Sequence, residues 1–265
     1  MRNPGQENRA ALVRKCDVFL ILVNEDSMQS VSPCTMCPHR DQSFCGTLLE
    51  ERPERLRAQQ DANWQHYRIV PAGKQIATRN QVSEDVFLLC GGWGFRYLQL
   101  PDGRRQILNF LLPGDLFSAT SVFEERFHFS VKALTEVQIS GMRRAEVQAR
   151  LVVNPNILMA LAASCTAESE AADKMQTALG QYSAEERIAH LLLHLMRQIS
   201  ARSVIREQRY PFPLRQQHIA DAVGLTKVHV SRVLSLFRDR GIVEVSDGTL
   251  QVGNFPALEQ IGAPH

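Results

Sequence analysis

Residues Leu214 to Val243 read L-R-Q-Q-H-I-A-D-A-V-G-L-T-K-V-H-V-S-R-V-L-S-L-F-R-D-R-G-I-V, and their spacing decides the architecture. Ile219, Ala220 and Val223 fall on one face of a short helix, Gly224 permits a tight turn, and Leu225 packs inward. Thr226 is the cap of a second helix. On that helix Val230, Val233, Leu234 and Phe237 form the inward stripe, which leaves Lys227, His229, Ser231, Arg232, Ser235 and Arg238 outside. Helix, glycine turn and helix in this order predict a helix-turn-helix, whose second helix enters the DNA major groove. Gly241 to Val252 follows as a hairpin with Asp247-Gly248 at its turn, so the unit reads as a winged helix.

The charge is placed to match. Between Arg202 and Arg240 there are eight Lys/Arg against three Asp/Glu, a local excess of five in a chain whose net charge is only +2. The remainder is therefore acidic, and the positive charge is concentrated where phosphates would be met. A helical pair with a merely solvated basic face is the competing reading, and it leaves that concentration unexplained. Arg232 is long enough to donate two hydrogen bonds to a guanine edge, while Ser231 and His229 suit a base edge or a phosphate. Arg215, Gln216 and Lys227 lie near helix starts, where phosphate contacts are common. With Thr226 they complete the expected DNA-contacting set.

Upstream the pattern changes twice. From Tyr67 to about Met142, short apolar runs alternate with turn signals at Pro71-Ala72-Gly73, Gly91-Gly92, Pro101-Asp102-Gly103 and Pro113-Gly114-Asp115. The runs are Val86 to Leu89, Phe95 to Leu100, Gln106 to Leu112, Ser130 to Leu134 and Val137 to Ser140, which predicts an antiparallel roll or barrel. Asn154-Pro155-Asn156 then signals a helix start. To Gln181 the chain is rich in Ala, Leu, Met and Glu. Leu161, Cys165, Glu168, Ala172, Met175 and Leu179 repeat at the spacing of a coiled-coil seam, with Glu168 as its flaw. The seam residues Leu161, Cys165, Ala172, Met175 and Leu179 predict a dimerisation helix; a core helix of a single chain is the alternative. Ser183-Ala184-Glu185-Glu186 is a capping box opening a further helix. The organisation is thus α+β: a lead segment (1–33), a cysteine cluster (34–52), a β-roll (53–153), the long helix (154–181) and the winged helix-turn-helix (182–265).

The chain has 265 residues, enough for two domains with real cores. No apolar run reaches the roughly 20 residues that span a bilayer, so a cytoplasmic protein without membrane partners is expected. Residues 1–27 differ in character from the rest, and translation from Met28 or a genuine short lead are both open. No Ser-His-Asp elbow or phosphate loop appears, and His66 and His128 stand alone where a metalloenzyme roll would need converging ligands. The chain does not read as an enzyme.

Residues 34 to 45, C-T-M-C-P-H-R-D-Q-S-F-C, hold three of the six cysteines. In a reducing compartment such a cluster suggests metal or redox chemistry rather than disulfides. Short spacings let one loop wrap a cluster face, and thiolates suit iron–sulfur chemistry. Cys34, Cys37 and Cys45 are candidate ligands, with Cys90, Cys16, His39 or a carboxylate able to supply a fourth. Zinc held by His39 and the three cysteines, a dithiol switch, and no cofactor at all remain alternatives.

A roll, a long helix and a C-terminal winged helix in that order resembles the CRP/FNR family of bacterial transcription regulators. The resemblance is carried by Pro113-Gly114-Asp115, Asn154-Pro155-Asn156-Ile157, Ala184-Glu185-Glu186-Arg187-Ile188-Ala189 and Gly224-Leu225-Thr226 through Ser231-Arg232. It implies a cyclic-nucleotide-binding-like roll, a homodimer, a two-fold symmetric DNA operator with half-sites about one helical turn apart, and RNA polymerase as a partner. Where cyclic-AMP binders carry a Gly-Glu-Leu cassette and a later Arg-Ser pair, this chain has Ser118-Ala119-Thr120 and Phe129-Ser130, so cyclic AMP is not expected as a ligand. The FNR branch is more similar. Some of its members share the Cys-x2-Cys-x7-Cys spacing, which implies an oxygen-sensing [4Fe-4S] cluster on Cys34, Cys37 and Cys45. That branch takes its fourth ligand at the place of Ser140, so Cys90, Cys16, His39 or a carboxylate would have to stand in. FNR-type recognition helices also carry a Glu where this chain has Val228.

Overall fold

The computed structural model describes residues 44–50 and 65–263. The expectations for the lead segment, Cys16, Cys34, Cys37 and His39 lie outside the described residues. The first element is helix α1 (Phe44–Glu50), which buries Phe44, Cys45 and Leu48.

The roll consists of two antiparallel sheets. One has the strand order β1 (Gln65–Val70), β7 (Val137–Arg143), β3 (Asp85–Gly91); the other runs β2 (Gln75–Ala77), β6 (Ser130–Ala133), β4 (Gly94–Gln99), β5 (Arg105–Leu111). β3 to β7 form where apolar runs predicted them. β1 did not announce itself, because four of its six residues (Q-H-Y-R-I-V) are exposed on an edge strand. Gly92 fixes the β3–β4 turn: at φ +76° a side chain would be strained, and its Cβ would lie 2.0 Å from the Glu136 carbonyl oxygen. Phe87, Phe117, Phe127 and Phe129 fill one roll core, and Val86, Leu88, Met142 and Val147 share a second with α1.

Two helices follow the roll. Helix α2 (Arg144–Val153) lies within the expected roll segment. The long helix α3 (Pro155–Gln181) begins where Pro occupies the first turn and the Asn154 side chain accepts from the Asn156 N–H at 2.8 Å. Its inner face packs within the chain. Leu161 is 1% exposed and sits in the roll core, Cys165 packs beside it, Met175 packs on the C-terminal core, and Leu179 lies against the turn at Gly224. Of the expected seam, Leu161 is buried within the chain, Cys165, Met175 and Leu179 are half-buried, and Ala172 is exposed. The outward face carries Leu158, Met159, Ala162, Ala163, Thr166 and Ala172. Helical spacing reports that a stripe is covered, not which neighbour covers it.

The C-terminal unit opens with α4 (Ala184–Ser200), held by a reciprocal capping box between Ser183 and Glu186. A sheet of order β8 (Arg209–Pro211), β10 (Thr249–Val252), β9 (Val243–Ser246) backs α5 (Gln216–Val223) and α6 (Lys227–Asp239), and α7 (Phe255–Gly262) closes against α4. Asp247 (φ 48°) and Gly248 (φ 73°) make the left-handed pair that a tight β-hairpin needs. Phe212 and Phe237 are fully buried here, each contributing about 1.5–3 kcal/mol. The same apolar core continues into Phe95, Tyr97, Ile107 and Phe110 of the roll.

Candidate nucleic-acid interface

The recognition helix is α6. Its inner stripe, Val230, Val233 and Phe237, is buried, and this fixes the helix rotation so that Thr226, Lys227, Val228, His229 and Arg232 face solvent. Thr226 caps it, its Oγ1 accepting from the His229 N–H at 3.3 Å. Gly224 ends α5 in the left-handed conformation at φ 66°, the geometry that joins the two helices. Arg215 precedes α5, and its N–H donates to His218 Nδ1 at 3.1 Å. Between α5, α6 and the wing lies a cleft of about 430 Å³ lined by Arg215, Gln216, Ser231, Ser235 and Arg238. The structure thus brings Arg215, Gln216 and Ser231 to one concave surface, with Lys227, His229 and Arg232 exposed on the same helix. Among the described residues Arg215, Lys227 and Arg232 form no ion pair. Their charge is left available for phosphate or a base edge.

The position of this unit is fixed by contacts that sequence reasoning missed. Arg105 of β5 donates from Nε to Asp221 Oδ2 at 2.8 Å, and its guanidinium lies 5.1 Å from the Phe95 ring centre. Gln106 donates to the Ala222 carbonyl at 2.9 Å. Arg202 donates from Nε to the Pro113 carbonyl at 2.9 Å and pairs with Asp115. His218 packs on Phe95; burial, then the charges of Arg105 and Arg215, lowers its pKa to about 4. No local pattern marks these residues, because each contact joins positions far apart in the chain.

Of the candidate cluster ligands, Cys45 is 4% exposed in the first turn of α1, and Cys90 on β3 packs against the same apolar cluster. Cys165 borders that cluster too, and burial followed by the Glu168 charge raises its thiol pKa. Among the described residues no group of three or more His, Cys, Asp or Glu is placed to hold a metal ion. Cys45 and Cys90 are the two candidates among the described residues, and Cys34 and Cys37 lie outside them. Ser140 is fully buried on β7, its hydroxyl accepting from Gln65 Nε2 at 2.8 Å.

A roll joined by one long helix to an exposed, basic recognition helix defines a winged-helix DNA-binding regulator. The chain is similar to known proteins of that class. A Crp-like helix-turn-helix domain matches residues 186–261, and a cyclic nucleotide-binding domain matches residues 67–152. The transcriptional activatory protein AadR of Rhodopseudomonas palustris is 33% identical over 230 residues, covering 84% of this chain and 92% of AadR. The nitrogen fixation regulation protein FixK of Azorhizobium caulinodans is 32% identical over 171 residues, covering 64% of this chain and 68% of FixK. The solved structure of FixK2 from Bradyrhizobium japonicum superposes with a TM-score of 0.69 at 25% identity, covering 76% of this chain and 98% of FixK2. The chain belongs to the CRP/FNR family of transcription regulators. The fold is the family's: a cyclic-nucleotide-binding-type roll, a long helix and a C-terminal helix-turn-helix.

Proposed function

We propose that the chain acts in the cytoplasm as a homodimer that reads a two-fold symmetric DNA site and regulates transcription in response to oxygen or redox state. The observation that carries the DNA reading is the solvent-facing row Lys227, His229 and Arg232 on a helix locked in rotation by Val230, Val233 and Phe237. Arg232 donates to a guanine edge; Lys227 and Arg215 meet phosphates. Val228, 59% exposed in the first turn, offers an apolar contact to a thymine methyl in place of a cytosine-reading carboxylate. Arg232→Ala is expected to cost about 1–3 kcal/mol of binding and to relax one base position, whereas Lys227→Ala weakens all sequences alike and lowers the salt slope by about 1. Equal losses on specific and random DNA from both variants would contradict these roles.

The dimer contact we assign to the outward face of α3, where Leu158, Ala162, Thr166 and Ala172 let two helices approach closely. AadR is described as a transcriptional activatory protein, which supports activation through RNA polymerase. Cys34, Cys37 and Cys45, with Cys90 as the fourth thiolate, would hold a [4Fe-4S] cluster, which supplies an oxygen-labile group beside the α1–α3 packing. Protein prepared without oxygen should then be brown, with iron and sulfide in equal amounts. A colourless protein, or one holding zinc, would sink this part of the reading.

A further inference from the structure

The flaw in the α3 stripe, Glu168, has a partner inside the roll. Arg96 on β4 is a buried guanidinium, its side chain 11% exposed. Such a charge needs a full set of acceptors. It donates to Asn109 Oδ1 and to the Phe117 carbonyl at 2.9 Å, and its guanidinium lies 4.7 Å from the Phe129 ring centre. The remaining acceptor is Glu168 Oε1. The second carboxylate oxygen, Oε2, accepts the backbone N–H of Ala119 at 3.2 Å. A guanidinium from one strand and a main-chain N–H from the start of the short 3-10 helix Ala119–Val122 thus converge on both oxygens of one carboxylate. Its side chain is still 31% exposed, so the place is reachable from solvent along α3.

We propose that the roll contains an anion site for a small carboxylate, and that its resident ligand is Glu168 of the chain's own long helix. The carboxylate arrives tethered, at an effective concentration that a free anion must exceed before it competes. The domain matched as cyclic nucleotide-binding therefore offers no vacant guanidinium at Arg96 to a nucleotide phosphate. The roll is fastened to α3 without a diffusible effector, and removing Glu168 converts the pair into an open site.

The full chain is compared with its Glu168→Ala and Glu168→Gln variants, following the unfolding midpoint against added acetate with chloride adjusted to constant ionic strength. Glu168→Ala is expected to lose a few degrees and to recover them saturably with acetate. Glu168→Gln should lose a similar amount without recovery, because its side chain fills the site. The unaltered chain should respond to neither acetate nor cyclic AMP. A Glu168→Ala variant as stable as the parent, a Glu168→Ala variant that acetate does not restore, or an equal acetate response in all three proteins would overturn the proposal. None of these readings depends on DNA binding.

Discussion

Two half-buried imidazoles make the protein sensitive to acid. Burial lowers His194 to about pKa 4, helped by the charges of His190 and Arg197, and His218 to about the same value beside Arg105 and Arg215. Their ordinary value is 6.5. Above that value both states carry neutral rings and nothing is lost. Between 6.5 and about 4 the unfolded chain takes up protons that the folded chain refuses, so stability falls as pH falls through this window. At pH 5 the loss is about 1 kcal/mol for each ring, allowing for the solvent that still reaches them. Urea midpoints should therefore drop from pH 7 to pH 5, and His218→Gln should shallow that slope. A slope unchanged by the substitution would contradict the assignment. Neither histidine declares itself in the sequence, since a lone His on a helix says nothing about what covers it.

At the scale of single elements, the winged helix was legible because each boundary has local chemistry. Thr226 and Ser183 cap, Gly224 turns left-handed, and Asp247-Gly248 closes the hairpin. β1 was not, because an exposed edge strand carries few apolar residues. The orientation of α3 was half legible. Its stripe is real, but Leu161 lies in the roll core while Leu158 and Met159 remain 48% and 67% exposed. Glu168, the acid that interrupts this apolar repeat, pairs with Arg96 of the roll. The two faces predict separable effects. Leu161→Ala should destabilise the fold by about 2–5 kcal/mol and leave the assembly state of the folded fraction intact. Leu158→Asp should cost little stability and shift the protein toward monomer in analytical ultracentrifugation. Dimers that survive Leu158→Asp but fail with Leu161→Ala would restore the inner stripe as the seam.

Across the whole molecule, the roll and the DNA-binding unit share one apolar core, and Arg105–Asp221, Gln106–Ala222 and Arg202–Asp115 tie their surfaces. The order of domains could be read from composition and turn signals alone. This docking could not, because it is made by residues more than eighty positions apart. It matters for function because it sets where α6 points relative to α3, and so how two recognition helices would be spaced in a dimer. The central claim is tested by selecting from a random duplex pool with the full chain. The prediction is enrichment of a two-fold symmetric site with half-sites about one helical turn apart, lost with Arg232→Ala. Recovery of unrelated sequences, or of an asymmetric site indifferent to Arg232, would contradict it.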